Sequence, residues 1–382
     1  MGGAVRELAS EPVSQRESEM RVGVVGAGTI AGQYSASLVR LPQLRVTAVC
    51  DLRADRAQAL AAQHDGARAL ELPALLGADD VDAVLVLTLP TTHADIALAA
   101  LAAGKHVYVE KPLATSVAEG RELVKAAAAA GLRVGCAPDT VLGTGIQTAR
   151  AVLDAGRIGT PHTATAFMTT PGHERWHPDP DFYYQVGGGP LLDMGPYYLT
   201  ALVHLLGPVV RVTGASARPA AARTIGSGPR AGESFAVDVD STVTGTLEHA
   251  SGALSTLIMS FDIWAARLPR IEVYGTGGSL SVPDPNLFAG PVELFSAVAP
   301  DEGWLDVGVT AGYRDAGRGY GLADLALALA QNRPQRAGDE LALHVLDIME
   351  SVQQAADTHT SVPLTTTCRR PAPVTELIDL AG

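Results

Sequence analysis

One lysine lies where an open α/β sheet would bind a ligand. The short apolar run of residues 106–109 ends in Glu110, Lys111 and Pro112. Because proline lacks an amide hydrogen and restricts the preceding residue to extended geometry, the strand must end with Lys111 at its carboxyl end. That edge is where such sheets bind ligands. Lys111 can there anchor a phosphate, bind a substrate, transfer a proton or remain a solvated surface charge.

A second group of polar side chains follows the glycine-rich stretch of residues 187–189. Asp193 and Tyr197 are four residues apart on a helix predicted from about Leu191 to Leu206, so they share one face. A carboxylate and a phenol on one face can hydrogen-bond the same ligand hydroxyl, and Tyr198 is a further candidate for substrate contact. The alternative for Asp193 is an ordinary acidic residue in a first helical turn.

A glycine pattern near the start of the chain has the context of a dinucleotide site. Gly26-x-Gly28-x-x-Ala31 follows an apolar strand directly and opens a helix. Gly26 permits the tight turn, Gly28 lets the backbone approach a pyrophosphate, and the small Ala31 lets helix and strand pack closely. The amides of the helix start, Thr29 and Ile30 among them, then face the anion. The alternative is a glycine turn with a purely structural role.

Asp51 stands at the end of the next apolar strand, 23 residues after Gly28. A carboxylate there accepts hydrogen bonds from both ribose hydroxyls and repels a 2′-phosphate, which predicts NAD rather than NADP. Arg53 weakens that preference because it offers a partner for a phosphate. Asp51 also suits a helix N-cap, and the two roles are compatible.

Residues 173–177, His-Glu-Arg-Trp-His, match the zinc-protease motif letter for letter. That motif works only on a helix, where both histidines fall on one face. Pro178 biases His177 away from helical geometry, so we predict a loop without a metal. Trp176 and His177 are then candidates for substrate contact, since aromatic rings stack on the apolar faces of sugars. A packed surface loop is the alternative.

The elements that position these residues form two successive patterns. Up to about residue 155, short apolar strands alternate with helices, which predicts a parallel sheet covered on both faces. From about Thr160, threonine-rich segments alternate in polarity, most clearly between Val237 and Leu247, which predicts a largely antiparallel sheet with one open face. That open face is a candidate subunit interface. The Gly-, Pro- and Ala-rich segment from Arg218 to Gly232 is predicted to be a mobile loop.

Composition excludes several classes of protein. The 382 residues suffice for about two domains, and a net charge of −13 without basic clusters argues against a nucleic-acid surface. The three widely separated cysteines indicate neither a disulfide framework nor a structural zinc site, which fits a reducing cytoplasm. No apolar run is long enough to span a bilayer, and the polar leader of residues 1–19 is predicted to be disordered.

From Met20 to about Leu364 the chain resembles the Gfo/Idh/MocA oxidoreductase family. The marks of the resemblance are the fingerprint of residues 26–31, Asp51, the stretch Thr88-Leu89-Pro90-Thr91-Thr92-His93, the Glu110-Lys111-Pro112 turn and Asp193. The resemblance implies an α/β fold: an N-terminal Rossmann doubly wound parallel sheet over residues 20–140, and a C-terminal α/β domain with a large open, mostly antiparallel sheet over residues 141–364. Residues 365–382 are then a tail.

The resemblance also implies functional roles. NAD(P) would lie between the domains, with cofactor contacts at Thr88, Leu89, His93, Glu110 and Lys111. Lys111 would be the active-site lysine and Asp193 its carboxylate, and substrates are usually sugars, cyclitols or related polyols. We expect a homodimer or homotetramer formed through the open sheet.

Two positions depart from the family pattern. Many members carry histidine as the acid/base four residues after the aspartate, where this chain has Tyr197. Because a phenol titrates far above neutrality, more of the proton transfer falls on Lys111. After the strand near Cys136, where many members carry a basic or aromatic pair, this chain has Asp139 and Thr140 as candidate contacts to substrate or nicotinamide.

Three functions are compatible with these residues. The first is an NAD-dependent dehydrogenase acting on a ring carbon of a sugar, glycoside or cyclitol, with Lys111, Asp193 and Tyr197 as catalytic residues. The second, also found among relatives of the family, is an oxidoreductive glycosidase in which NAD oxidises a sugar transiently so that elimination releases the aglycone. The third is a dinucleotide-sensing protein without turnover, which the intact Glu110-Lys111-Pro112 turn argues against.

Overall fold

The computed structural model describes residues 19–381. The first part of the chain alternates strands with helices. Its strands are β1 (Met20–Val25), β2 (Leu44–Cys50), β3 (Arg68–Ala69), β4 (Ala83–Val86), β5 (His106–Val109) and β6 (Val134–Cys136), and its helices are α1 (Thr29–Leu38), α2 (Ala54–Ala61), α3 (Leu72–Leu76), α4 (His93–Ala102), α5 (Val117–Ala130) and α6 (Thr144–Asp154).

These strands form a parallel sheet in the order β3-β2-β1-β4-β5-β6. Its central strands are continuous apolar runs because helices cover both faces, and every residue of β4 is buried. The order reverses between β1 and β4, so the loops after β1, β4 and β5 meet at one edge, which is the ligand-binding edge of such sheets. The predicted doubly wound Rossmann sheet is confirmed.

The second part of the chain is built mainly of strands. They are β7 (Pro161–Thr169), β8 (Val209–Ala217), β9 (Ala222–Thr224), β10 (Ser234–Ala236), β11 (Thr242–His249), β12 (Leu254–Ser260), β13 (Ile271–Gly275), β14 (Gly278–Val282), β15 (Glu293–Ser296), β16 (Trp304–Asp306), β17 (Gly312–Tyr313), β18 (Val362–Pro363) and β19 (Leu377–Ile378). Its helices are α7 (Pro190–Leu206), α8 (Tyr320–Ala330) and α9 (Asp339–Thr358).

A large mixed sheet runs in the order β16-β15-β14-β13-β7-β12-β11-β8-β18. Of the strand pairs in this sheet that the structure describes, β7 with β12 is parallel and the others are antiparallel. Along β12 the side chains alternate between buried and exposed, because α7 and α9 pack against one face and leave the other open. The predicted open, mostly antiparallel sheet is confirmed.

Two predictions about this part of the chain are wrong in detail. The strand expected from Val237 begins at Thr242, since residues 237–241 lead out of a separate hairpin. The predicted mobile loop from Arg218 to Gly232 contains β9, which pairs with β10. Glycine and proline signalled turns there but gave no sign of a strand only three residues long.

The predictions for the two ends of the chain have different outcomes. The predicted leader lies outside the described residues except for Glu19, whose carboxylate is 3.1 Å from the Arg45 guanidinium. The predicted tail returns to the fold, because β19 pairs with β17. Within residues 19–381 no helix is both long and apolar enough to cross a membrane.

Candidate active site

A cavity of about 580 Å³ lies between the edge of the parallel sheet and helix α7. Residues from both parts of the chain line it, which places the glycine loop, the end of β5 and the start of α7 around one space. The predicted site residues that line the cavity are Ile30, Thr88, Leu89, Glu110, Lys111, Trp176, Asp193, Tyr197 and Tyr198.

Lys111 and Asp193 meet across this cavity. The Lys111 Nζ donates to the Asp193 Oδ1 at 2.9 Å and to the Asp193 backbone oxygen at 2.8 Å. Both side chains are 17% exposed, so the pair is shielded from solvent but open to a ligand. The end of β5 presents the lysine and the first turn of α7 presents the carboxylate. The structure thus brings together the two residues that the sequence placed 82 positions apart.

The charges of this pair reinforce each other. Burial disfavours the ammonium ion, but the neighbouring Asp193 carboxylate, Tyr197 and Glu110 outweigh that effect and raise the pKa of Lys111 above its ordinary value. Burial likewise disfavours the carboxylate, but Lys111 and His173 outweigh it and hold the pKa of Asp193 below its ordinary value. At neutral pH the site therefore rests as an ammonium–carboxylate pair.

His173 is the third member of this group, and the sequence analysis did not select it. Its Nε2 lies 3.0 Å from the Asp193 Oδ2. Because an ionised carboxylate only accepts, we assign the proton to Nε2, which donates to Asp193. The ring packs against Phe261 and Tyr183, with centroids 4.4 and 4.5 Å away. The signal was present in the His-Glu-x-x-His motif, whose first histidine reaches the site rather than the second.

Tyr197 is polarised by an arginine that sequence reasoning also missed. The Arg318 Nη2 donates to the Tyr197 Oη at 3.0 Å and to the Asn286 Oδ1 at 3.2 Å. Because a guanidinium group has no acceptor, the Tyr197 hydroxyl proton is free to point elsewhere, toward a ligand. Burial raises the pKa of Tyr197 more than Lys111 and Arg318 lower it, so the phenol stays neutral. Tyr197 is therefore a hydrogen-bond donor in this site.

The glycine loop has the shape that a dinucleotide requires. Gly26 has a φ of +104°, and a Cβ at this position would lie 2.7 Å from the Leu87 carbonyl carbon. A Cβ on Gly28 would meet nothing within 4 Å, so the space above the start of α1 is open. The amides of Thr29 and Ile30 precede the first helical hydrogen bonds and have no helical acceptor. These groups fit a pyrophosphate.

Asp51 anchors the glycine loop. Its Oδ2 accepts from the Ala27 amide at 2.7 Å and its Oδ1 from the Arg53 amide at 2.8 Å. Each oxygen keeps a lone pair for a ribose hydroxyl. The Arg53 guanidinium is paired with Asp55 at 2.6 Å.

Two further predicted cofactor residues hold the loops of the sheet edge. His93 is fully buried, with one ring nitrogen 2.7 Å from the Pro112 carbonyl oxygen and the other 3.1 Å from that of Thr88. It joins the loops after β4 and β5 and does not line the cavity. The Glu110 carboxylate accepts from the Tyr34 hydroxyl at 2.9 Å and from the Lys111 amide at 2.8 Å, which fixes the turn beside Lys111.

Two predicted substrate residues lie away from the cavity. Asp139 is fully buried, and its Oδ2 accepts from the amides of Gly319 and Gly321 at 2.7 and 3.1 Å. Its position corrects the expected substrate contact: the carboxylate fixes the turn that carries Arg318. His177 is likewise not part of the lining, and its Nδ1 accepts from the Asp179 amide at 3.1 Å.

The motif weighed as a zinc site has a different geometry. Residues His173–Arg175 form a single 3₁₀ turn, and the His173 Nε2 is engaged with Asp193. In the part of the chain that the structure describes, no three His, Cys, Asp or Glu side chains cluster as a metal site requires.

Comparison with known proteins finds relatives for both parts of the chain. A family model described as "Oxidoreductase family, NAD-binding Rossmann fold" matches residues 20–137, and the GFO/IDH/MocA C-terminal domain matches residues 146–281. A 1,5-anhydro-D-fructose reductase from Ensifer adhaerens is 31% identical over 264 residues, covering 68% of this chain and 74% of that protein. A D-glucoside 3-dehydrogenase from Escherichia coli K12 is 31% identical over 253 residues, covering 64% of this chain and 71% of that protein.

A solved structure extends the likeness to the whole fold. An NAD-binding oxidoreductase from Klebsiella pneumoniae superposes with a TM-score of 0.78 at 22% identity, covering 91% of this chain and 100% of that chain. The Rossmann sheet and the open sheet thus occur together in a known arrangement.

Proposed function

Because the chain belongs to the Gfo/Idh/MocA oxidoreductase family, we propose that it is an NAD-dependent dehydrogenase of a sugar, glycoside or cyclitol. One observation carries the proposal: an ammonium–carboxylate pair, Lys111 with Asp193, faces a cavity on the same sheet edge as an open glycine loop. The nicotinamide, when bound, accepts or supplies the hydride, and the protein's residues bind and orient the reacting carbon.

Two donors line the cavity in which the reacting oxygen would bind. Lys111 offers an ammonium proton and Tyr197 offers its hydroxyl proton, since Arg318 occupies a Tyr197 lone pair. Such donors stabilise negative charge that develops on a carbonyl oxygen as hydride arrives. Asp193 keeps Lys111 charged and holds it in place.

The resting protonation favours the reductive direction near neutral pH. Lys111 already holds the proton that a carbonyl oxygen must gain in reduction. In oxidation Lys111 must first lose its proton before it can accept one from the substrate hydroxyl, so the rate should rise with pH.

His173 supports the carboxylate from the side opposite to Lys111. It brings an imidazole to Asp193 in a chain whose helix α7 carries Tyr197 where many members of the family carry histidine. With one oxygen bound to Lys111 and the other to His173, Asp193 has a single orientation.

NAD is the proposed cofactor rather than NADP. The Asp51 carboxylate would repel a 2′-phosphate, and Arg53, whose positive charge opposes that repulsion, is paired with Asp55. The experiment is a screen of sugars, cyclitols and glycosides with NAD and NADP, and of their keto forms with NADH and NADPH. It follows the reduced cofactor and the released aglycone together.

We expect net conversion of NAD or NADH with at least one polyol or ketone, and a higher kcat/KM with NAD than with NADP. NAD binding without turnover on the whole panel would contradict the proposal and support a sensor. Release of aglycone with no net change in NADH would instead identify the oxidoreductive glycosidase.

A further inference from the structure

Aromatic side chains that the proposed mechanism does not use form one wall of the cavity mouth. We call Trp176, Phe182 and Tyr183 the aromatic wall, and all three line the cavity. Trp176 is 59% exposed and Phe182 is 50% exposed. Apolar rings that stay in contact with water at a cavity mouth are typical of a binding surface.

The rings of the wall are arranged as a continuous surface. Phe182 and Tyr183 stack with centroids 4.0 Å apart at 33°. His177 packs edge-on against Trp176 and Phe182, with centroids 5.4 and 5.5 Å away. His177 therefore contacts both exposed rings without lining the cavity itself.

A buried ionic network holds the loop that carries the wall. Glu174, 7% exposed, accepts from the Arg223 Nη1 at 2.8 Å and also from the Tyr184 hydroxyl. Arg223 on β9 also donates to Asp262. These buried ionic hydrogen bonds join the loop to β9 and restrict its movement.

A second attachment holds the other end of the same loop. The Arg230 Nη1 donates to the Asp181 Oδ2 at 2.7 Å, next to Phe182. The β9–β10 hairpin therefore holds the loop at Glu174, two residues before Trp176, and at Asp181, directly before Phe182. The wall is preorganised, which lowers the entropic cost of binding a ligand there.

The ring of His173 lies between the aromatic wall and Asp193. The His173 ring bonds to Asp193 at 3.0 Å on one side and packs on Trp176 at a centroid distance of 5.3 Å on the other. A sugar whose hydroxyl meets Lys111 and Asp193 would thus place its next substituent, and not the reacting ring, against Trp176.

We infer that the aromatic wall binds the second ring of a glycoside, so that the substrate is a sugar carrying an aglycone with an apolar ring face. The inference rests on the proposed function and narrows its substrate class. Both an aryl group and a second sugar present such a face, because Trp and Phe stack on aromatic rings and on the C–H faces of sugars alike.

The test compares one sugar with and without a second ring. Methyl glycosides, phenyl glycosides and disaccharides of glucose, galactose and mannose, in both anomers, are titrated into the NAD-loaded protein by calorimetry, and kcat/KM is measured on the same set. We expect at least one phenyl glycoside or disaccharide to bind more tightly than its methyl counterpart. Tighter binding of the phenyl glycoside than of the disaccharide identifies the aglycone as an aryl group, and the reverse order identifies it as a sugar.

Variants locate that preference on the wall. Trp176→Ala and Phe182→Ala should each weaken binding of the second-ring ligand by about tenfold, the effect of losing one ring contact, and weaken binding of the methyl glycoside much less. Trp176→Phe should restore most of the loss. Trp264→Ala is the matched control, because Trp264 is 75% exposed, packs on Arg175 and does not line the cavity.

Equal binding of methyl and two-ring glycosides, or no binding of either, would overturn the inference. Turnover of free sugars or cyclitols with no gain from a second ring would overturn it while leaving the proposed dehydrogenase intact. A change in oligomer mass in Trp176→Ala, measured by light scattering, would show that the wall contacts a second copy of the chain and would also overturn it.

Discussion

The protonation of Lys111 is decided by its immediate neighbours. A buried lysine loses its proton more easily, whereas a carboxylate in contact opposes that loss, and sequence alone does not show which effect is larger. In the structure Asp193 touches the ammonium group at 2.9 Å, and the pKa of Lys111 rises. Lys111 is therefore a proton donor at rest and a base only after deprotonation.

Removing the charge of Asp193 should reverse the shift of Lys111. In Asp193→Asn the largest influence that raises the pKa of Lys111 is lost, while the burial that lowers it remains. Reduction needs protonated Lys111, so its rate falls as pH rises through that pKa. We call this fall the alkaline limb of the pH profile. The pH of its midpoint should lie above the ordinary lysine pKa of about 10.4 in the native protein and below that value in the variant.

The measurement is the pH profile of kcat/KM for ketone reduction. Asp95→Asn, at an exposed position on α4, is the control and should leave the limb in place. An unchanged limb in Asp193→Asn would show that Asp193 does not set the protonation of Lys111.

Among single residues, the sequence predicted those whose positions are set by residues close to them along the chain. Lys111, Asp193 and the glycine loop were found because proline, helix spacing and the strand–turn–helix context place them. His173 and Arg318 were missed because each reaches the site through a tertiary contact. His173 is 20 residues from its partner Asp193, and Arg318 is 121 residues from its partner Tyr197. Asp139 was misplaced because its position after a strand did not reveal that two amides would bury it.

At the scale of elements, the β9–β10 hairpin positions the loop that carries His173 and the aromatic wall. Its composition predicted mobility, because glycine, proline and alanine supply little apolar surface for packing. The hairpin is held instead by charged side chains, and the partners Arg223 and Glu174 are 49 residues apart. Pairings at that separation leave no periodic signal in the sequence.

The two arginines of this hairpin should differ sharply in their effect on stability. Arg223→Ala removes the cation that pairs with Glu174 and Asp262, whose side chains are only 9% and 15% exposed. The free energy of unfolding should therefore fall by about 3–5 kcal/mol. Arg230→Ala, at a side chain 35% exposed, should lower the free energy of unfolding far less, because ion pairs in contact with solvent contribute little to stability.

Urea unfolding followed by tryptophan fluorescence measures both costs, since Trp176 and Trp264 report on this region. Arg223→Ala should also raise KM for the substrate while the Kd for NAD stays unchanged, because the glycine loop is remote from the hairpin. Equal unfolding midpoints for the two variants would contradict a structural role for the buried network.

At the scale of the whole molecule, the site exists only where the two parts of the chain meet. Lys111 comes from the parallel sheet and Asp193 from the helix that covers the open sheet. The alternation of strands and helices predicted both sheets, because periodicity reports which faces are buried. How the parts pack on one another depends on contacts such as the Gly135–Gly338 bridge, which the sequence pattern does not encode.

The open face of the large sheet is the proposed subunit interface. Thr246 and Thr256 lie opposite each other on β11 and β12, and both are exposed. Replacing both with arginine places two like charges side by side on a face that must pack against a partner, so the assembly should dissociate to monomers.

Light scattering after size-exclusion chromatography measures the mass. The control is the pair Ala62→Arg and Ala129→Arg, which adds the same charge at exposed positions outside the open sheet. A native protein that is already monomeric would exclude the open face as an interface.

The central claim is that Lys111 performs the proton transfer that accompanies hydride transfer. The most direct measurement is the kcat of Lys111→Ala on the substrate that the screen identifies, together with the Kd for NAD. We expect a loss of kcat of about 100-fold or more with NAD binding retained. Lys105→Ala should keep a near-native kcat, because Lys105 precedes β5 at the opposite edge of the sheet, where its ammonium group binds the Ala78 carbonyl oxygen at 2.9 Å. A near-native kcat for Lys111→Ala would contradict it.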